Sequence, residues 1–146
     1  MYGAIIGLAL IVALEKHPPS AGVVVGSLLG TAVAVALAEL YSDIVGVEAQ
    51  GRRHLRRAEV YEMGPDVAAV AFGAAFPAVF FLLAAVHTIE EDTAFTIAKW
   101  SGVGLISFYG FWAARLAGDS LPESVLRALG VGLIGAFLIG LKALLH

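Results

Sequence analysis

From Ala21 to Leu40 the chain reads AGVVVGSLLGTAVAVALAEL, twenty residues with no charge before Glu39. A helix of that length rises about 30 Å, the thickness of a bilayer's hydrocarbon core, so the segment predicts a membrane span. Where lipid is the solvent, each backbone polar group has to be satisfied inside its own segment, which restricts the fold to helices or a closed barrel. The composition points the same way, with 60% hydrophobic and 14% charged residues, against roughly half and a quarter in a soluble domain. The chain has no cysteine. Disulfides, thiolate metal sites and thiol nucleophiles are thereby excluded.

The remaining apolar stretches complete an all-α integral membrane protein, a five-helix transmembrane bundle in one domain over residues 1–146, with expected spans at 2–17, 20–47, 65–87, 94–116 and 123–145. The first is short. Tyr2 to Leu14 would cover only about 20 Å, so this helix lies at the bilayer edge, continues through Glu15 to His17, or depends on its neighbours and local thinning. It has no basic region before it and no small-residue cleavage site after it, so a span is expected and not a signal peptide. Pro18 and Pro19 end it, and Ser20 is a suitable N-cap for the second span. Pro77 falls inside the third span and predicts a kink, read either as a packing feature or as a hinge for alternating access.

Basic residues collect on the cytoplasmic side of membrane proteins. All the arginines lie in the Arg-rich segment 48–64 (Arg52, Arg53, Arg56, Arg57) or flank the link between the fourth and fifth spans (Arg115, Arg127). Lys16, Lys99, Lys142 and the acidic run Glu90-Glu91-Asp92 fall toward the other side. The expected topology is N-terminus cytoplasmic and C-terminus outside, in a plasma membrane of bacterial type. The stretch EAQGRRHLRRAEVYEMG reads as an amphipathic continuation of the second span that attracts anionic headgroups or a partner subunit.

Gly22, Gly26 and Gly30 recur every fourth residue on the second span, Gly3 and Gly7 do so on the first, and Gly132, Gly135, Ala136 and Gly140 make a small-residue side on the fifth. In lipid such residues let backbones approach closely, which fits either packing within the bundle or a homodimer face.

An ionisable group within a span is costly and is usually kept for a pathway, a ligand or a pair. Glu39 and Asp43, four residues apart, fall on one helix face about a turn from each other, with Tyr41 and Ser42 nearby. Two oxygen ligands so spaced suit a hard divalent cation, with Glu48 as a further ligand, or a proton relay. The other reading is two acids near the inner headgroups, paired with Arg52, Arg53 or Arg115. His87 with Glu90, Glu91 and Asp92 offers an outer cation site or a solvated acidic loop. Glu15 with His17 is a weaker version of the same, and His54 among the arginines is disfavoured as a metal ligand. Lys99 beside Trp100 reads as an interfacial anchor.

No phosphate-binding glycine loop, HExxH or serine elbow is present, so no enzymatic activity is expected. The net charge of -3 and a basic cluster confined to the neighbourhood of a span argue against nucleic-acid binding.

GFWAARLAGDSLPESVLRALGVGLIGAFLIG (Gly110 to Gly140), GAAFPAVFFLL (Gly73 to Leu83) and ALAELYSDIVGVEA (Ala36 to Ala49) resemble the last hairpin, third helix and second-helix end of the vacuolar iron transporters and their yeast manganese and iron relatives, most specifically in the last hairpin. The chain differs from that pattern in an acid-free first helix, in lacking a methionine after Glu39 within the span, and in a short cytoplasmic segment. The resemblance implies five spans, an N-inside, C-outside topology and Glu39 on an ion path, with iron(II) or manganese(II) as cargo. Two functions follow as expectations. One is a homodimeric transporter moving a divalent cation or protons past Glu39, Asp43 and Tyr41. The other is a non-transporting module whose small-residue faces and arginines bind a partner subunit or anionic lipid.

Overall fold

A computed structural model describes residues 2–51 and 56–144, and every regular element among them is a helix. In chain order these are α1 (Tyr2–Leu14), α2 (Ala21–Gly51), α3 (Arg57–Glu62), α4 (Gly64–Ala75), α5 (Ala78–Ala85), α6 (Glu91–Leu116) and α7 (Leu121–Leu144). The first helix stops at Leu14 and gives way to a turn at Glu15 and Lys16, ahead of the two prolines and short of the expected limit at residue 17. Arg52, Arg53 and His54 lie outside the described residues. The arginine-rich stretch does not simply prolong α2, because a separate helix starts at Arg57, where the Arg56 amide donates to Glu59 Oε2 at 2.8 Å.

α1, about half the length of α2, α6 and α7, sits in the middle. It packs on α2, α4, α6 and α7, while α2 otherwise packs on α4 and α5, and α7 on α6, so α2 and α7 occupy separate flanks. A central position explains how a thirteen-residue helix is retained: its surroundings are other helices, and its length need not match a lipid layer. Gly3, Ala4, Gly7, Leu8, Ile11 and Val12 are buried.

The close approach of α1 to α4 depends on glycine at three positions. A Cβ on Gly3 would overlap the Val70 carbonyl, one on Gly7 would meet Ala74 O at 3.0 Å, and one on Gly73 would meet the Ala4 nitrogen at 2.8 Å. The pairing of Gly3 with Val70 and Gly7 with Ala74 makes the two helices run parallel. Gly22, Gly26 and Gly30 have open space where a side chain would stand. They lie on the side of α2 turned away from this chain's own helices.

The expected kink is present: α4 and α5 are bent by 44° across Phe76 and Pro77. Proline has no amide to give to the Gly73 carbonyl. The next bonds tighten instead to a three-residue spacing, Val79 to Phe76 O at 3.3 Å and Phe80 to Pro77 O at 3.1 Å. Beyond the bend, Phe81 meets Phe95 of α6 edge to face at 4.7 Å, inside a core shared with Ile11, Val24, Leu28 and Ala98. A second core joins Ala4, Leu8, Val12 and Ile106.

Much of the exterior is apolar. Val33, Leu37, Phe72, Leu82, Phe108, Trp112, Leu126, Leu129, Leu133 and Phe137 are all exposed. Among the described residues, α2 alone is long and apolar enough to cross a membrane, and the bent pair 57–85 becomes a second such segment when counted as one. α6 has the length, but Lys99, Ser101, Ser107, Tyr109 and Arg115 dilute its apolar character.

Candidate functional site

The face of α2 that carries buried Val24, Leu28 and Ala32 continues into Glu39 and Asp43. At 100° per residue, Glu39 lies within about 20° of Leu28 around the helix axis and Asp43 within about 60°. Both acids are half-buried. Among the described residues neither makes a hydrogen bond or an ion pair. The structure therefore brings these two together on the packed seam of α2, as their spacing predicts. Glu39 stands about 27 Å along the helix axis from Ala21.

Tyr41 and Glu48 are not brought to the same place. Tyr41 is turned about 160° from Glu39 and is 71% exposed. Glu48 falls about 180° from Glu39, so within one chain it does not join the pair as a further oxygen ligand. Among the described residues, no three His, Asp or Glu side chains converge to hold a metal ion.

Of the arginines that the sequence offered as partners, Arg52 and Arg53 lie outside the described residues, and Arg115 is engaged elsewhere. Arg56 and Arg57 are exposed at the start of α3. Arg115 donates to the Asp119 carbonyl at 2.9 Å, and Arg127 Nε stands 3.0 Å from Asp119 Oδ2, a buried oxygen that gains the charge contact without a hydrogen bond.

At the opposite end, the ionisable residues are structural. Lys99 Nζ contacts Glu15 Oε1 at 2.5 Å, both side chains being largely shielded. It ties α6 to the end of α1, a role beyond interfacial anchoring. Glu91 Oε1 accepts from the Ala21 amide at 3.1 Å, so a carboxylate from α6, and not the Ser20 side chain, caps the start of α2. His87 has a left-handed backbone (φ 58°) at the end of α5, where the Thr88 amide bonds to Leu83 O at 2.9 Å. That is a helix stop, with Gly118 (φ 89°) in the same role after α6.

Sequence reasoning did not single out Glu91, Asp119 or Arg127 for these contacts. The first two lack a local pattern. The pattern of Ser120 followed three residues later by Glu123 does predict the cap observed at α7, in which the Ser120 amide and hydroxyl donate to Glu123 Oε2 at 2.9 and 2.8 Å. No protein-family model, curated protein or solved structure matches this chain.

Proposed function

We infer that this chain is a small polytopic membrane protein that passes a cation along the α2 seam, using Glu39 and Asp43. The observation that carries this reading is the pair of half-buried carboxylates on the packed side of an apolar helix, without a basic partner among the described residues. Desolvating such a pair is unfavourable unless something positive accompanies it. The resemblance to the vacuolar iron transporters supports iron(II) or manganese(II) as cargo and the five-span, N-inside topology. The apolar exterior supports insertion. Gly22, Gly26 and Gly30, open to the outside, support a homodimer seam through α2, and Pro77 supplies a bend about which α5 can rock against α4.

The alternative, a non-transporting module, is favoured by one observation: Tyr41 and Glu48 lie away from the acid pair, which then offers a cation at most two side chains per chain. The deciding experiment is uptake of iron(II) and manganese(II) by proteoliposomes holding the wild type or the Glu39→Ala, Asp43→Ala double variant. Transport predicts wild-type uptake that falls at least about tenfold in the variant, the loss of one ordinary charge-assisted contact. Equal uptake by folded wild type, variant and empty vesicles leaves the module.

A further inference from the structure

We propose that the open groove between α6 and α7 is a binding site for an amine-bearing zwitterionic phospholipid, with the phosphate on Arg127. The inference rests on the bilayer placement inferred above but not on the cargo. The groove, of about 310 Å³, is lined by Gly110, Ala113, Ala114, Arg127, Gly130 and Val131. That volume is at the small end for ligand sites and suits part of one acyl chain. Arg127 also lines a second recess, bounded by the two carboxylates Asp119 and Glu123 and by Leu126.

The order of these parts along the chain matches the order of parts in a phospholipid. Asp119 and Glu123 precede Arg127 at the α6–α7 link, and Gly130 and Val131 follow it toward the middle of α7. A tail directed into the bundle's interior level thus leaves a phosphate at the guanidinium and a headgroup amine at the carboxylates. The donors and acceptors are available. Arg127 is 62% exposed and uses Nε toward Asp119, while its terminal nitrogens have no protein partner among the described residues. Glu123 engages Oε2 with Ser120, leaving Oε1 to accept from an ammonium.

Charge complementarity selects the headgroup. Arg115 and Arg127 are balanced by Asp119 and Glu123, so the site has no excess positive charge for a purely anionic headgroup. A phosphate with a neighbouring primary ammonium satisfies both signs, and the ammonium's three donors suit carboxylates in a way that a methylated amine does not.

The test is native mass spectrometry of the detergent-solubilised protein titrated with phosphatidylethanolamine, phosphatidylcholine or phosphatidylglycerol. Alongside the wild type run Arg127→Gln, Gly130→Leu, which fills the groove from a position with open space, and Gly104→Leu, an equally open position elsewhere on α6. Phosphatidylethanolamine is expected to be retained about tenfold better than either other lipid, with that advantage lost in Arg127→Gln and Gly130→Leu and kept in Gly104→Leu. Equal retention of phosphatidylglycerol, or retention indifferent to both groove variants, overturns the proposal while leaving the bilayer placement intact. A wild type that stays soluble without detergent overturns the placement itself, and the proposal with it.

Discussion

Among the described residues, His87 alone is a non-glycine residue with a left-handed backbone. A left-handed conformation costs a non-glycine residue roughly 1 kcal/mol, and here it terminates α5. His87→Gly is therefore expected to stabilise the fold by about 0.5–1 kcal/mol, read as a higher unfolding midpoint. A loss of stability would mean that the imidazole holds the α5–α6 link together. The Lys99–Glu15 pair is the contrary case, a contact between residues far apart in sequence and largely shielded from solvent. Lys99→Met should destabilise by about 1–2 kcal/mol, between the values for exposed and buried pairs. A double-mutant cycle with Glu15→Gln should return a coupling near 1 kcal/mol. Additive losses would show that the two side chains act independently.

At the scale of the helix, the same residue type serves opposite purposes. Gly73 faces the Ala4 backbone at van der Waals distance, whereas Gly26 faces nothing in its own chain. Gly73→Ala forces α1 and α4 apart and should cost about 1–3 kcal/mol. Gly26→Ala should change the stability of the monomeric bundle by less than about 1 kcal/mol in either direction. Unfolding of each variant in mild detergent by a graded denaturant separates the two, and equal effects would mean that the α1–α4 crossing yields without strain. Proline's consequence for α4 and α5 was legible in advance because it acts locally, through a missing amide and a ring that crowds the preceding turn. The capping of α2 by Glu91 was not, since its donor and acceptor are brought together only when α2 and α6 pack.

For the whole molecule, the decisive quantity is the apolar exterior. Val33 and Leu37 on α2 and Leu126, Leu129, Leu133 and Phe137 on α7 line opposite flanks, and each is exposed. Exposed apolar residues spaced along two whole helices mark a surface that another apolar phase covers. The chain is therefore expected in the membrane fraction after alkaline carbonate washing and to be released by detergent. Recovery in the carbonate supernatant would require another cover for both flanks.

The sequence by itself determined that the chain is helical, that the third apolar segment bends at Pro77, and that Glu39 and Asp43 share a face. These follow from periodicity, proline chemistry and chain spacing, all of which act over a few residues. Only the tertiary structure decided that the short first helix is the central one, that Gly3, Gly7 and Gly73 are the glycines at the α1–α4 contact, and that Tyr41 and Glu48 turn away from the acid pair's seam. Which side of a helix finds a partner depends on the other helices around it, and two stripes of identical spacing carry no mark of which will be covered.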